Sequence, residues 1–229
     1  MTDHPRSGGE IDAVIVFDLD DTLYLERDYV ESGLLAVGSW MERQLGVAGA
    51  GLAMIDRFRD GARGHIFDEA LASAGVNRPD ELIPRMVQVY RQHHPRIALA
   101  DDAMRFLSRR PDRTGIAVIT DGYLDAQKRK IRALGLHRLG VEMAVCTDRW
   151  GRQDWKPGRR AFDHVQAFFA LPANAFVYVA DNPEKDFVAP RRIGWRTVQI
   201  NRPGRLRTDG VTCLEPAERE IESLDGWQA

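Results

Sequence analysis

The sequence predicts an α/β fold, in which a doubly wound parallel sheet has helices on both faces and an α-helical domain is inserted into it. Short apolar runs alternate with amphipathic segments over residues 101–200, as in successive strand–helix units of a parallel sheet. A further apolar run at 14–17 is separated from them by residues 24–100, in which no convincing strand occurs. We therefore expect one sheet whose first connection contains a helical insertion.

The first strand is predicted at Val14–Phe17, because a continuous run of mostly β-branched and aromatic residues is typical of a strand buried on both faces. The run stops at Asp18, Asp20, Asp21 and Thr22. Open α/β sheets bind ligands at the carboxyl ends of their strands, and unpaired carboxylates are costly to bring together. These acids therefore suggest a bound cation or a chemical task. The alternative is an ordinary acidic turn, in which Asp21 and Thr22 cap the next segment of the chain.

Residues 24–100 have the spacing of helices. Apolar residues recur three and four positions apart over 26–45, which predicts an amphipathic helix that ends near Gly46. Further helices are predicted at 52–59, 67–74 and 80–93. The insertion is therefore expected to be entirely helical and to join the core by two chain crossings.

Residues 101–229 supply the other elements of the core. Asp101 is expected to cap a helix through Arg110. Apolar runs predict four more strands, at 115–119, 141–146, 176–180 and 197–200. Helices are expected at 125–134, from Lys156 onward, and up to Gly194 from Asn182 as N-cap. A polar loop, an apolar patch at 211–214 and a short final helix complete the prediction.

Polar residues stand at the ends of several predicted strands or at the start of the helix between them. Each has an ordinary alternative as a turn residue, a surface lysine or a partner of a helix dipole. Those alternatives do not explain why the polar groups fall repeatedly at the same edge of the sheet. We therefore expect them to form one site with the acids of the first strand. The residues are Thr120, Asp121, Gly122, Lys156, Asp181 and Asp186.

This ordered set resembles the haloacid dehalogenase (HAD) superfamily, in its phosphatase branch with a helical C1-type cap. The resemblance covers residues 1–23 and 101–229 as a Rossmann-like core, and it places the insertion 24–100 where the family has its first type of cap. Ala180 stands where the fourth motif commonly has glycine. The four motifs are matched by Asp18-Leu19-Asp20-Asp21-Thr22, by Thr120, by Lys156-Pro157, and by Asp181 with Asp186.

The resemblance implies a phosphatase that works through an aspartyl-phosphate intermediate. Asp18 would be the nucleophile, and an ordinary pKa of about 3.9 would leave it ionised at neutral pH. Asp20 would protonate the leaving group and later accept a proton from water. The phosphoryl group would be held by Thr120, by the backbone N–H groups of Asp121 and Gly122, and by Lys156.

The resemblance also implies Mg²⁺ as cofactor, an ion that favours oxygen ligands. The expected ligands are the carboxylates of Asp18 and Asp181 and the backbone carbonyl of Asp20. Asp186 and Thr22 are expected outside the ligand set, where Asp186 would orient the ligands and Thr22 would fix the turn.

A small phosphorylated metabolite, such as a sugar phosphate, a nucleotide or a similar phosphomonoester, is the expected substrate. A phosphomutase is the alternative, since its motifs look the same. Asp20 argues against a haloacid dehalogenase, which needs no acid there, and residues 24–100 lack the lysine that a Schiff-base phosphonate hydrolase would need. A phospho-accepting signalling domain and a non-catalytic scaffold are remote alternatives.

Substrate specificity is expected to lie in the insertion and in the loop after the first motif. Basic or aromatic side chains there could contact the leaving group, although ordinary surface or packing roles would also account for them. A likeness of fold does not identify the substrate. The candidates are Tyr24, Arg63, His65, Arg91 and His93.

The amino-acid composition limits the binding partners and the cellular locations that we expect for this protein. The formal net charge of -2 gives no support to a nucleic acid polymer as partner. The two cysteines, Cys146 and Cys213, lack the spacing of a zinc site or a disulfide framework, which favours a reduced, cytoplasmic location. No apolar run reaches the length of a membrane span, so we expect no membrane partner. The expected oligomeric state is a monomer or a homodimer.

Overall fold

The computed structural model describes residues 11–109, 111–206 and 213–227. Within them, six strands form one parallel sheet in the order β3-β2-β1-β4-β5-β6. This is the strand order of a Rossmann-like doubly wound sheet, so the predicted fold class is confirmed. The strands are β1 (Ala13–Phe17), β2 (Thr114–Thr120), β3 (Met143–Cys146), β4 (Phe176–Ala180), β5 (Arg196–Ile200) and β6 (Arg219–Ile221).

Strand β1 lies at the centre of the sheet and pairs with β2 on one side and with β4 on the other. Its residues 14–17 are completely buried, as the continuous apolar run predicts. The strand order reverses between β1 and β4, and this point of an open α/β sheet is where ligands bind. The acids that come after β1 therefore lie at the topological switch point.

The helices of the described residues are close to the predicted segments, with two late starts. Helix α7 begins at Arg160, after a cis Lys156–Pro157 peptide, and α8 begins at Val188. The helices are α1 (Glu26–Leu45), α2 (Ala50–Arg59), α3 (Ile66–Ser73), α4 (Pro79–Gln92), α5 (Asp101–Ser108), α6 (Leu124–Ala133), α7 (Arg160–Phe169) and α8 (Val188–Arg192).

The two predicted N-cap roles are wrong. Asp101 is the first residue of α5 rather than its cap, which is Ala100. Asn182 begins a turn: its side-chain oxygen accepts from the N–H of Glu184 at 3.0 Å and its carbonyl from the N–H of Asp186 at 3.0 Å. This side-chain-to-backbone bond stabilises the turn and delays α8.

The region after β5 also differs from the prediction. Residues 219–221 form the edge strand β6 rather than a helix, and no apolar run indicates this strand, because Arg219 and Glu220 are exposed. Arg110 and residues 211–212 of the predicted patch 211–214 lie outside the described residues, while Cys213 and Leu214 are exposed.

The chain divides into two compact units. Unit 1 comprises Met1–Leu25, Leu99–Gly122 and Gly135–Ala229, and unit 2 comprises Glu26–Ala98 and Tyr123–Leu134. Unit 1 contains the sheet with α5, α7 and α8. Unit 2 contains α1–α4 together with α6, a helix that was expected in the core and that packs against α4. A cap function for 24–100 stays a prediction.

The described helices include none with the length and apolarity that a membrane crossing requires. The longest, α1, has a mixed sequence that packs against α2 and α4 within unit 2. Gly38 of α1 lies so close to Gly51 of α2 that a Cβ at either position would contact the facing backbone. The two glycines therefore let the helices approach closely.

A buried ion pair links distant segments of unit 1. The Arg202 guanidinium donates to Asp102 Oδ1 from Nη1 at 2.6 Å and to the Thr22 carbonyl from Nε at 2.6 Å. Asp102 Oδ2 accepts from the N–H of Leu224 at 2.7 Å and from Ser223 Oγ at 3.0 Å. Burial alone would raise the pKa of Asp102, but the hydrogen bonds from Arg202 and Leu224 lower it below its usual value.

We expect Asp102→Asn to lower the free energy of unfolding at pH 7 by about 3 kcal/mol, since it leaves the buried Arg202 cation without its ion pair. A lowered folded-state pKa stabilises the protein above the unfolded-state pKa of about 3.9 and loses this effect as the pH falls through the folded-state value. The difference between wild type and variant should therefore shrink below about pH 4. Urea unfolding from about pH 7 to about pH 3 measures it.

Asp225→Asn is the matched control, because Asp225 pairs with Arg105 at 2.6 Å on the surface, where both side chains are about half exposed. Water screens this pair, so its loss should change the unfolding midpoint much less. Equal effects of the two substitutions at neutral pH would contradict a special contribution from the buried pair.

Candidate active site

The predicted site residues of unit 1 meet at the carboxyl edge of the sheet. Asp18 comes directly after β1, Thr120 ends β2 and Asp181 comes directly after β4, and β1 lies between β2 and β4 in the sheet. The N–H of Asp18 donates to the carbonyl of Val179 at 2.9 Å, which extends the β1–β4 pairing to the first acid. The sheet order thus brings together residues that are distant in sequence.

Lys156 lies at the centre of the cluster. Its Nζ is 2.6 Å from Asp18 Oδ1, 2.6 Å from Asp186 Oδ1 and 3.0 Å from Tyr178 Oη. The side chain is completely buried. Burial acts to lower the pKa of Lys156, but Asp18 and Asp186 hold it well above its usual value. The ammonium is therefore charged and fixed between two acids.

Burial raises the pKa values of two acids of the site, Asp18 and Asp181. It raises the pKa of Asp18 to about 7, although Lys156 acts to lower it. The pKa of Asp181 is raised well above its usual range by burial and by Asp186 and Asp18. The expectation that Asp18 ionises with its ordinary pKa is therefore wrong: its charged form needs positive charge nearby.

A divalent cation would supply that charge, and the donor set suits one. One carboxylate oxygen each from Asp18, Asp181 and Asp186 lies within 4.8 Å of the others, and all three residues are buried. An all-oxygen set of this kind fits Mg²⁺. Cancelling the mutual repulsion of these acids is the physical reason for placing a cation among them.

The Asp186 carboxylate already has partners of its own. Its Oδ1 accepts from Lys156 Nζ and, at 3.4 Å, from Tyr178 Oη, and its Oδ2 accepts from the N–H of Asn182 at 3.1 Å. These contacts hold Asp186 in place beside the other acids. They fit a residue that orients its neighbours.

Asp121 connects the end of β2 to two lysines. Its Oδ1 accepts from Thr147 Oγ1 at 2.7 Å and from the N–H of Lys156 at 3.1 Å, while its Oδ2 pairs with Lys185 Nζ at 2.7 Å. Burial would raise the pKa of Asp121, but Lys156 and Lys185 lower it. Thr120 beside it is buried, with Oγ1 3.5 Å from the Asp121 carbonyl.

The acids of the first motif lie in a tight turn. Asp20 Oδ1 accepts a hydrogen bond from Tyr24 Oη. Asp21 has a φ of 53° in the left-handed region, and its Oδ2 accepts from the N–H of Leu206 at 2.8 Å. Asp21 thus bonds to a loop that is distant in sequence. The Thr22 Oγ1 is buried and has no hydrogen-bond partner among the described residues, whereas its carbonyl accepts from Arg202.

Three residues of the site were not predicted from the sequence. Tyr178 is part of the apolar run of β4, Thr147 comes directly after β3, and Lys185 lies inside the fourth motif. The lysine could have been found, because the chain has few lysines and this one lies between matched acids. The hydroxyl of Tyr178 is a single polar group in an apolar strand, which gives little sequence signal.

The candidate specificity residues fall in both units. Tyr24 belongs to unit 1 and is completely buried. In unit 2, Arg63 donates to the carbonyls of Phe58 and Ala62, and the exposed His65 lies 3.7 Å from Asp68.

The other two candidates of unit 2 lie at the end of α4. The Arg91 guanidinium stacks 3.6 Å above the Tyr123 ring, and His93 is buried with Nδ1 2.6 Å from the Tyr90 carbonyl. Burial lowers the pKa of His93, aided by Lys130 and Arg129. Because a carbonyl can only accept, His93 donates from Nδ1, and its ring is neutral at neutral pH.

The two relatives that match this chain in sequence are both phosphatases. No family model matches the chain. It is 27% identical over 195 residues to glyceraldehyde 3-phosphate phosphatase from Methanocaldococcus jannaschii, a match that covers 81% of this chain and 83% of the relative. It is also 28% identical over 142 residues to phosphoserine phosphatase from Thermus thermophilus, which covers 61% of this chain and 55% of that relative.

Solved structures confirm the fold. The HAD-hydrolase YfnB from Bacillus subtilis, solved bound to magnesium, superposes with a TM-score of 0.60 at 16% identity over 94% of this chain and 96% of its own. A 2-haloacid dehalogenase from Pseudomonas syringae gives 0.61 at 24% identity over 94% and 96%. The chain therefore has the fold of the haloacid dehalogenase-like hydrolases, which is the fold that the resemblance predicts.

We expect Asp121→Ala to lower the free energy of unfolding by about 3 kcal/mol, because it removes the acceptor of a partly buried lysine, a buried hydroxyl and a backbone N–H. Asp121→Asn keeps one oxygen acceptor and should cost less. Urea unfolding measures both variants. Asp163→Ala on α7 is the control, since its pair with Arg159 is exposed; a loss as large as that of Asp121→Ala would contradict the expectation.

Proposed function

We propose that this protein, which has the haloacid dehalogenase-like fold, is a Mg²⁺-dependent phosphatase that hydrolyses a small phosphomonoester through an aspartyl-phosphate on Asp18. The observation that carries the proposal is the buried contact of 2.6 Å between the Asp18 carboxylate and the Lys156 ammonium at the switch point of the sheet. Both curated relatives are phosphatases, which supports this reaction over others of the same fold.

The chemistry divides one difficult displacement into two steps. An Asp18 carboxylate oxygen attacks phosphorus while the bond from phosphorus to the ester oxygen breaks. Asp20 donates a proton to the leaving alcohol. Asp20 then takes a proton from the water that attacks the aspartyl-phosphate, which releases inorganic phosphate and restores the Asp18 carboxylate.

The charge of the phosphoryl group needs matching donors. Lys156 would bind it from the buried side, and Thr120 with the N–H groups of Asp121 and Gly122 would hold its oxygens. Gly122 has a φ of 123°, a conformation that side chains rarely allow, which accounts for glycine at this position. Lys185, through its pair with Asp121, would keep this loop in place.

The cofactor would be held by the Asp18 and Asp181 carboxylates and the Asp20 backbone carbonyl. When bound, the ion neutralises the acids of the site and the phosphate of the substrate. We place Asp186 outside the ligand set, because it already accepts hydrogen bonds from Lys156 and from the N–H of Asn182.

We propose that unit 2 selects the substrate, because residues 24–100 resemble the cap domain of the family. Its candidates are Arg63, His65, Arg91 and His93, which combine cationic and aromatic-stacking groups suited to a polar leaving group. A small metabolite such as a sugar phosphate or a nucleotide is the proposed substrate class, and the relatives' names suggest glyceraldehyde 3-phosphate and phosphoserine for the first trials.

Asp18→Asn should abolish phosphate release, by at least about 1,000-fold, because the amide cannot act as the nucleophile. The measurement is release of inorganic phosphate from a panel of phosphorylated metabolites with Mg²⁺. Asp163→Asn, on the exposed face of α7, should remain active. Turnover of Asp18→Asn near that of wild type would contradict the proposal. Isomerisation of a sugar phosphate without net release of inorganic phosphate would indicate a phosphomutase.

Mg²⁺ should raise the melting temperature of the wild type, since a ligand that binds only the folded state stabilises it, by about 2.7 kcal/mol at about 100 times its Kd. Asp181→Asn should lose most of this shift, and chelation should stop phosphate release. Differential scanning fluorimetry across a magnesium titration measures this shift in melting temperature, and so detects Mg²⁺ binding independently of enzymatic activity. An equal shift in both proteins would place the ion elsewhere.

A further inference from the structure

We infer that Tyr24 is a positioning residue for Asp20, and that Arg202 holds the turn on which both residues lie. The inference rests on the proposed function, in which Asp20 donates a proton to the leaving group. It assigns Tyr24 to the proton-transfer step rather than to substrate selection. It also gives Arg202, the cation of the buried pair with Asp102, a role in the reaction.

The contact between Tyr24 and Asp20 is direct. Tyr24 Oη donates to Asp20 Oδ1, and the Tyr24 side chain is completely buried. The backbones of the two residues also form an isolated parallel β-bridge, which joins the two ends of the turn between them. A hydroxyl that donates to a carboxylate makes a strong, directional bond, which fixes the rotation of the carboxylate.

The turn between Asp20 and Tyr24 is held by groups from elsewhere in the sequence. Asp21 Oδ2 accepts from the N–H of Leu206 at 2.8 Å. The Thr22 carbonyl accepts from Arg202 Nε at 2.6 Å, and the Leu23 carbonyl accepts from the N–H of Ala100 at 3.0 Å. Each of these three residues thus has an external contact, which limits the freedom of the turn to move Asp20.

Arg202 is itself fixed. Its Nη1 is 2.6 Å from Asp102 Oδ1, and the second oxygen of Asp102 is held by Ser223 and by the backbone of Leu224. Both charged side chains are 7% exposed. The guanidinium therefore binds Asp102 through Nη1 while its Nε holds the turn. A group that must transfer a proton needs this kind of rigid support.

The nature of the leaving group separates a positioning role from a purely structural one. A basic alcohol leaves well only when it is protonated, so cleavage of an alkyl phosphate depends on Asp20. p-Nitrophenolate is a weak base that leaves without a proton. Misplacing Asp20 should therefore slow alkyl ester cleavage much more than aryl ester cleavage, whereas a general loss of structure should slow both equally.

The test compares kcat/KM for p-nitrophenyl phosphate with kcat/KM for the alkyl phosphomonoester that the wild type cleaves fastest, because kcat/KM reports the steps up to leaving-group departure and omits the later hydrolysis that both esters share. Tyr24→Phe removes one oxygen and should lower kcat/KM for the alkyl ester about 10- to 100-fold, a part of the general-acid contribution. The rate with p-nitrophenyl phosphate should fall less than about 3-fold on the same argument. Thr197→Val on β5 is the control, because it also removes a buried hydroxyl from unit 1, one that accepts from the N–H of Glu218 away from the site, and it should leave both rates unchanged.

Two further variants examine the support from Arg202. Arg202→Lys keeps the charge but cannot span Asp102 and the Thr22 carbonyl together, so its ratio of alkyl to aryl rates should fall as in Tyr24→Phe. Asp102→Asn removes the charge that stabilises the pair but keeps an amide oxygen that can accept from Arg202 Nη1, so Nε should still hold Thr22. Its ratio should therefore stay near that of wild type below its unfolding temperature. The pair distinguishes lost positioning from lost stability.

Equal losses with both esters in Tyr24→Phe would overturn the positioning role, while the proposed function would stand if Asp18→Asn is inactive. A ratio in Arg202→Lys equal to that in Asp102→Asn would overturn the part assigned to Arg202. A wild type that cleaves neither ester, or an active Asp18→Asn, would overturn the proposed function itself.

Discussion

The organisation of this protein depends on one buried ammonium placed among carboxylates. Isolated burial of Lys156 or of Asp18 would be costly, because each charge loses its water. Contact of Lys156 with both Asp18 and Asp186 makes burial tolerable for all three. The parallel sheet makes this contact possible, since its central strands end side by side and deliver residues that are far apart in sequence to one edge.

The compensation by Lys156 is incomplete, and this gives the site its chemical character. Asp18 and Asp181 still have raised pKa values, as burial dominates their surroundings. A site in this condition attracts further positive charge, and an oxygen-binding dication meets that need without large rearrangement. The excess of buried carboxylates over the Lys156 ammonium is therefore the physical basis for the proposed metal. The bound cation would in turn supply the positive charge that binding of a charged phosphate ester requires.

The sequence predicts the sheet well because buried parallel strands are continuous apolar runs, and β1 and β4 are found as expected. It predicts the first-motif acids and Lys156 because their order along the chain matches a known pattern. It does not reveal β6, whose edge position leaves Arg219 and Glu220 exposed. Nor does it reveal Arg202, because no local rule relates that side chain to a carbonyl 180 residues earlier. Contacts of that range depend on packing that only the folded chain shows.

The bond from Arg202 to Thr22 also has a consequence for synthesis of the chain. A nascent polypeptide emerges from its first residues onward, so the aspartate turn leaves the ribosome long before its anchor, which is made 180 residues later. Closing so long a loop has an entropic cost that must be met before the contact forms. The acids of this turn would therefore emerge in a loosely held segment, and the turn would gain its anchor only after Arg202 has been synthesised.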